Sequence, residues 1–296
     1  MGRLTRLGVL GWPVGHSRSP AMHNAALAAV GLDGWRYQHL PVPPELFVET
    51  VRALPALNFA GANVTIPHKA QALVVADEAT ETARAIGAAN TLIFAADGAI
   101  AADNTDAPGL LAALGDERPR TAVILGAGGA ARAAAYALAQ AGVDVKVWNR
   151  TLDRARSLAA DLGVEAVQDL PPADLLVQCT SIGLADTSSA FKDLPLGADG
   201  LGGYACVVDL VYRAGGTELL REAQRRGSRV IDGLEILVHQ GALSFEQWTG
   251  RPAPMGVMRD AARGPASHDD EPARPPVPAL RGTDGGAGRG ERRAGP

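Results

Sequence analysis

The chain has few cysteines and few aromatic residues. Cys179 and Cys206 are the two cysteines among 296 residues, and aromatic residues make up 4% of the chain. Both cysteines fall in strand-like apolar segments, as is typical of buried, reduced thiols. A structural zinc site would need more ligands at closer spacing. The sequence therefore predicts neither a disulfide framework nor a metal centre.

A large excess of charge and a long apolar run are also missing. The formal net charge is -4, and no basic stripe with interleaved aromatic residues occurs, so nucleic acid is not an expected partner. No apolar stretch is long enough to span a bilayer, and the first ten residues lack the apolar core and cleavage site of a secretion signal. We expect a cytoplasmic protein that acts on a small molecule, with a homodimer left open.

Apolar residues are plentiful, at 47% of the chain, and strand and helix patterns alternate in two blocks. Strand patterns lie at 6–10, 35–40, 59–65, 90–94, 121–125, 143–148, 174–179 and 205–210, and helical patterns at 19–30, 44–54, 69–75, 80–86, 130–141, 152–162, 217–226 and 234–248. Two α/β domains separated by a cleft follow from this pattern.

The two blocks give domain boundaries. We expect a substrate domain over 1–106, completed by 233–258, and a Rossmann-type nucleotide domain over 107–232. Residues 259–296 contain seven Gly, six Pro and no aromatic residue, and we expect a disordered, solvated tail there. A partner-binding arm is the alternative for this segment.

The second block opens with a glycine-rich turn between a strand and a helix. Gly126, Ala127, Gly128, Gly129 and Ala130 follow the strand at 121–125. Small residues let the backbone approach a pyrophosphate, and the helix N-terminus offers it free N–H groups and a partial positive charge. A tight turn without a ligand is the alternative, but the strand–turn–helix–strand context favours a dinucleotide.

The end of the next strand indicates which dinucleotide binds. Asn149, Arg150 and Thr151 stand where an NAD enzyme presents a carboxylate to the ribose, and Arg154 follows one helical turn later. A carboxylate would repel a 2′-phosphate, whereas guanidinium groups bind it well. The sequence therefore favours NADP(H), unless the two arginines are ordinary surface charges.

Polar residues follow several strands of the first block. Lys69 stands after the strand at 59–65, Asn90 at the start of a later strand, and Asp106 just before the crossing to the second domain. Ligands of α/β folds bind at such strand ends, and reduction of a ketone needs a proton donor. Lys69 with Asp106 is the expected donor pair, although each residue alone would suit a solvated surface.

Two hydroxyl residues precede the first helix. Ser17 and Ser19 flank Arg18, and Pro20 follows at the helix start. Hydroxyls and N–H groups at a helix start suit an anion such as a carboxylate. Simple N-capping by Ser19 is the alternative, and the two roles are compatible.

Taken together, these motifs resemble the shikimate dehydrogenase family over about residues 6–258. The resemblance lies in segments 16–20, 22–24, 63–69, 87–91, 104–106, 126–131, 149–151, 180–183, 209–212, 232–235, 240–242 and 248–250, in that order. It implies NADPH-dependent, reversible reduction of 3-dehydroshikimate to shikimate, a step towards aromatic amino acids. Quinate or dual quinate/shikimate dehydrogenase activity is the alternative within the family, and a non-catalytic binding regulator is one outside it.

The resemblance also implies residue roles. Lys69 would be the acid/base and Asp106 its partner, and both would line the substrate site with Ser17, Ser19, Thr65, Asn90, Tyr212 and Gln240. The cofactor would contact Glu81, Gly126, Ala127, Gly128, Gly129, Ala130, Asn149, Arg150, Thr151, Arg154, Thr180, Leu210 and Gly233. Leu210 and Gly233 would approach the nicotinamide from the backbone. Two features depart from the family pattern and bear on domain closure. Ala107 stands where the family often has Gly, and the segment 214–216 stands where it usually has a proline-containing loop.

Overall fold

The computed structural model describes residues 4–184, 190–213 and 215–264. It contains two six-stranded sheets with helices against them, which confirms the predicted α/β class. Ala214 and residues 265–296 of the predicted tail lie outside the described residues. Within the described ranges, no helix is both long and apolar enough to cross a membrane.

The first sheet has the order β2-β1-β3-β5-β6-β4. Its strands are β1 (Thr5–Gly11), β2 (Trp35–Pro41), β3 (Phe59–Val64), β4 (Glu78–Ala79), β5 (Thr91–Phe94) and β6 (Ile100–Asp103). Its helices are α1 (Ser19–Ala29), α2 (Phe47–Ala53), α3 (Lys69–Val75) and α4 (Glu81–Ile86). Strand β1 pairs in parallel with β2 and β3, whereas β5 is antiparallel to both β3 and β6. The sheet is therefore mixed.

Strands β4 and β6 are absent from the sequence-based prediction. The four residues of β6 include two alanines, which have little strand preference, and β4 has only two residues. A hairpin signal did exist, since Asp97-Gly98 separates β5 from β6 and Gly98 has φ 91°. The antiparallel pairing that follows this turn brings the end of β6 back beside Asn90.

The second sheet is parallel throughout, in the order β12-β11-β10-β7-β8-β9. Its strands are β7 (Thr121–Leu125), β8 (Asp144–Trp148), β9 (Glu165–Ala166), β10 (Leu175–Gln178), β11 (Cys206–Asp209) and β12 (Arg229–Asp232). Its helices are α6 (Gly129–Gln140), α7 (Leu152–Leu162) and α8 (Glu218–Arg225). This is the strand order of the dinucleotide-binding fold, in which ligands lie where the order reverses, between β7 and β10.

Two helices connect the domains. Helix α5 (Asp106–Leu114) leaves the first sheet, and α9 (Gly233–Thr249) returns to it. They pack closely because Gly109 faces Gln240, where an added Cβ would lie 2.9 Å from the Gln240 Cβ. Ala107 is buried in α5 within an interdomain cluster that includes Ala88 and Ala133, so a methyl group is accommodated at this position.

The chain continues into a last helix, α10 (Met255–Arg263). The prediction that a disordered tail begins at residue 259 is therefore wrong for 259–263. Met258 and Ala262 are buried in the core that contains α1 and α9, and they offset the ordering entropy of this short segment. The sequence pattern concealed this because only two residues of the helix are buried.

Candidate active site

Lys69 and Asp106 meet at the edge of the first sheet where β3 and β6 end. Each is the first residue of a helix, α3 and α5 respectively. The Lys69 Nζ donates a hydrogen bond to the Asp106 Oδ2 at 2.6 Å, and the two side chains are 13% and 15% exposed. The fold thus brings together two residues that are 37 positions apart in the chain.

Asn90 holds the other oxygen of the carboxylate. Its Nδ2 donates to the Asp106 Oδ1 at 2.9 Å and to the Gln240 Oε1 at 3.1 Å, while its Oδ1 accepts from the Thr105 backbone N–H at 2.7 Å. Asp106 is therefore fixed on one side by a cation and on the other by a buried amide. Such support orients a proton-transfer group within a narrow range of positions.

The Lys69–Asp106 pair opens into a cavity of about 170 Å³ between the domains. All the predicted substrate-site residues line it, namely Ser17, Ser19, Thr65, Lys69, Asn90, Asp106, Tyr212 and Gln240. The lining also includes Leu210, which follows β11 of the second domain, and Gly233, the first residue of α9. A small polar molecule in this cavity would contact both domains.

Three hydroxyl groups in the cavity lining lie close together, two from the first domain and one from the second. The Ser17 Oγ donates to the Ser19 Oγ at 3.2 Å, and the Arg18 backbone N–H donates to the Tyr212 Oη at 3.3 Å. Burial raises the pKa of Tyr212, so its phenol keeps its proton at neutral pH and can donate. Hydroxyl donors of this kind suit a carboxylate.

A second cleft continues from the cavity along the second sheet. Lys69, Ala130 and Thr180 line both, and the predicted phosphate loop, Gly126, Ala127, Gly128, Gly129 and Ala130, lines the second. Gly126 has φ 118°, which favours glycine, and a Cβ on Gly128 would find open space, with no atom within 4 Å. No side chain of the described residues caps the amino end of α6. An uncapped helix start beside an open cradle fits a pyrophosphate.

The far end of this second cleft is basic. Asn149, Arg150 and Arg154 line it, and both arginines are exposed. Neither guanidinium pairs with a carboxylate of the ranges that the structure describes. The residues present therefore fit NADP(H), since two unpaired cations stand where the ribose 2′-phosphate would be held.

Leu210 and Gly233 pack against each other in the lining of the substrate cavity. An added Cβ on Gly233 would lie 2.3 Å from the Leu210 carbonyl oxygen, so this position requires glycine. The atoms nearest to this position all belong to the backbone of Leu210 and Asp209. That arrangement suits the predicted backbone contact with a nicotinamide.

The structure does not bring two of the predicted cofactor residues to either cleft. Glu81 is exposed at the start of α4, and Thr151 is exposed at the N-cap of α7. Neither is among the described residues that line the two clefts. Their roles as cofactor contacts stay predictions.

Two buried polar residues, for which the sequence predicted no role, shape the loops beside the cleft. Gln178 and Asp209 pair in register at the ends of β10 and β11. The Gln178 Oε1 accepts from the Thr180 N–H, and the Asp209 carboxylate accepts from the Val211 N–H at 3.0 Å and the Thr217 Oγ1 at 2.7 Å. Each side chain folds the loop after its strand. A polar residue at the end of an apolar strand was the available signal.

His16 also lines the substrate cavity, although no functional role was predicted for it. Its pKa is lowered by burial and by His39, so the ring is neutral at pH 7.

Gly215 and Gly216, in the segment that departs from the family pattern, have φ 77° and 79°. These left-handed conformations are accessible to glycine, and the departure therefore preserves a turn before α8.

Three family models match the chain in succession. They are described as the shikimate dehydrogenase substrate binding domain over residues 9–92, shikimate / quinate 5-dehydrogenase over 111–189, and the shikimate 5′-dehydrogenase C-terminal domain over 233–263. The third match includes residues 259–263 of α10, which the sequence had been expected to place in the tail.

Similar proteins cover nearly the whole described chain. The shikimate dehydrogenase (NADP(+)) of Ruegeria sp. (strain TM1040) is 42% identical over 88% of this chain and 98% of its own, and that of Methylobacterium radiotolerans is 46% identical over 86% and 95%. The Thermus thermophilus shikimate 5-dehydrogenase, solved in complex with NADP(H) and shikimate, superimposes with a TM-score of 0.78 at 42% identity over 88% and 98%. A 5-ketofructose reductase of Gluconobacter sp. strain CHM43 also superimposes, with a TM-score of 0.75 at 32% identity over 88% and 99%.

Proposed function

The chain belongs to the shikimate dehydrogenase family, and we propose that it catalyses the reversible, NADPH-dependent reduction of 3-dehydroshikimate to shikimate. The observation that carries this proposal is the Lys69–Asp106 pair, which lies in a cavity between a hydroxyl-lined anion site and a cleft that fits NADP(H). A small hydroxy acid with a ring ketone matches these three features.

The cofactor, when bound, supplies hydride for the reduction and accepts it in the reverse direction. Its phosphates would be held by the loop from Gly126 to Ala130, and its 2′-phosphate by Arg150 and Arg154. A nicotinamide at Leu210 and Gly233 would face the substrate cavity. The 2′-phosphate contact favours NADP(H) over NAD(H).

Lys69 supplies the proton. As hydride adds to the carbonyl carbon, the carbonyl oxygen becomes an alkoxide and takes a proton from the Lys69 ammonium group. Asp106 keeps that ammonium group in place, and Asn90 keeps Asp106 in place. In the reverse direction, neutral Lys69 accepts the proton of the substrate hydroxyl. Solvent restores its starting protonation state.

Ser17, Ser19 and Tyr212 bind the carboxylate of the substrate. All three line the same cavity as Lys69, so a carboxylate bound by them would hold the substrate ring beside the Lys69–Asp106 pair. Gln240 and Thr65 complete the polar lining beside Asn90. Fixing the ring at both ends reduces the entropy lost in reaching the reactive arrangement.

Quinate is the alternative substrate, because one family model that matches the chain covers both activities.

We propose the cytoplasm as the location, since Cys179 and Cys206 are buried free thiols, as expected in a reducing compartment. Cell fractionation tests the location. Light scattering of the purified protein tests the homodimer left open by the sequence.

The function is tested by following NADPH absorbance after shikimate and NADP are mixed with the purified protein. We expect turnover, and Lys69→Ala should lower kcat by about 100- to 10,000-fold, the usual contribution of a general acid/base. Lys192→Ala removes an exposed lysine and is the matched control, which should retain the wild-type rate. Normal turnover in a folded Lys69→Ala protein would refute the assignment.

A further inference from the structure

Helix α10 ends beside the serines of the substrate site. The guanidinium group of Arg18 donates from Nε to the Ala262 carbonyl at 3.1 Å, and from Nη2 to the carbonyls of Ala261 at 3.2 Å and Gly264 at 2.5 Å. The last carbonyl groups of a helix lack partners within it and carry partial negative charge. Arg18 therefore caps α10.

The backbone around Arg18 belongs to the substrate site. Arg18 lies between Ser17 and Ser19, both in the cavity lining, and its N–H donates to the Tyr212 Oη. Its own side chain is not among the described residues that line the cavity; the Nε and Nη2 contacts direct it to α10. One residue thus links the end of α10 to all three hydroxyl groups.

Two arginines of α10 pair with acidic residues at the start of α9, the helix that returns from the second domain to the first. Arg259 makes a bidentate pair with Glu235, with its Nη2 2.7 Å from Oε1, and Arg263 pairs with Asp232 at 2.7 Å. Asp232 caps α9 by accepting from the Glu235 N–H at 2.9 Å, and Gly233 follows it directly. The arginine neighbours lower the pKa of Glu235, which keeps the carboxylate charged.

Helix α10 therefore connects two parts of the catalytic cleft that lie on different elements. One end of the connection is the hydroxyl site at Ser17 and Ser19, and the other is the start of α9, which forms the cavity wall at Gly233. Buried Met258 and Ala262 hold the helix on the first domain between these contacts. A shift of α10 would move both parts.

We propose that α10 is a positioning element of the substrate site and that Arg18 is the positioning residue through which it acts. This inference rests on the proposed function, because the hydroxyl groups are assigned there to the substrate carboxylate. Arg18 acts by fixing the backbone that carries Ser17 and Ser19 and by directing its N–H to Tyr212. The carboxylate site is preformed because the helix end holds this loop.

The test compares Arg18→Met and Arg18→Lys with wild type, using Arg36→Met as the control, since Arg36 is an exposed arginine on β2. Arg18→Met should raise KM for shikimate about tenfold, corresponding to loss of about 1.4 kcal/mol of binding. KM for NADP and kcat should stay within about threefold. Arg18→Lys restores one cationic donor and should recover part of the loss. Thermal melting establishes that each variant is folded.

A second comparison separates positioning from direct contact. Met258→Ala in the full chain loosens α10 from the core without changing Arg18 or the three hydroxyl groups, and it should also raise KM for shikimate. Combined with Arg18→Met, it should add little further, because both changes weaken the same link. Arg263→Ala, made alongside, tests the contact of α10 with Asp232 separately.

Two results would overturn the inference. An unchanged KM for shikimate in Arg18→Met would mean that the cap does not hold the site, and fully additive effects would mean that Arg18 contacts the substrate itself. A failure of the proposed function looks different, because shikimate would then give no turnover in wild type or in Arg36→Met.

Discussion

Gly129 sets the distance between the phosphate loop and Lys69. A Cβ built on Gly129 would lie 2.8 Å from the Lys69 Cβ and 3.1 Å from its Cδ. Carbon atoms in contact are about 3.5–4.0 Å apart, so Gly129→Ala must separate α6 from α3 by roughly 1 Å. The contact involves the base of the lysine side chain, which cannot turn away as a flexible end would.

A displacement of roughly 1 Å in a reacting group can lower a rate by about 100-fold, and we expect kcat of Gly129→Ala at saturating NADP to fall by about that factor. Helix weakening cannot account for such a loss, since alanine favours the helix by about 1 kcal/mol over glycine. Gly128→Ala is the matched control. Its Cβ would meet no protein atom, and it should raise KM for NADP instead, because it enters the proposed phosphate site. A kcat within about threefold of wild type in Gly129→Ala would show that Gly129 does not determine the position of Lys69.

Two further predictions concern the pH dependence of stability and the choice of cofactor. Burial raises the pKa of Asp209 from 3.8 to about 6, so its contribution to stability is present below about pH 4 and is lost as the pH rises through 6. Between pH 4 and 7 the unfolding free energy of the wild-type protein should fall by about 3 kcal/mol more than that of Asp209→Asn. Urea denaturation at a series of pH values measures this difference. Parallel pH dependence of the two proteins would contradict the prediction. The double variant Arg150→Ala/Arg154→Ala should raise KM for NADP by about 10- to 100-fold, because two phosphate contacts are lost. KM for NAD should stay nearly unchanged. Equal changes for both cofactors would show that these arginines do not recognise the 2′-phosphate.

Much of this architecture could be predicted from the periodicity of apolar residues and from the Gly and Pro residues at turns. The strand at Thr121–Leu125 and the glycine turn before α6 combine an apolar run with a turn of small residues, and both features are local. Helix α3 begins at Lys69 because Pro67 and the preceding strand end define the turn. Local signals of this kind give the elements and the end of the sheet where the site lies.

The remaining features depend on contacts between distant segments. Asp106 meets Lys69 only because the β5–β6 hairpin brings the end of β6 back beside the start of β5, the strand that pairs with β3. The short, alanine-containing β6 carries a weak strand pattern. Helix α10 becomes ordered through Arg18, Glu235 and Asp232, which lie far away in the chain. Sequence spacing does not report such pairings, so they required either the structure or a family resemblance.

The most direct test of the assignment is a panel of kcat/KM values for shikimate and quinate, each with NADP and NAD. We expect the highest value for shikimate with NADP, and we expect Lys69→Ala to reduce every value that can be measured. A preference for quinate with NAD would contradict it, as would the absence of hydride transfer in every combination.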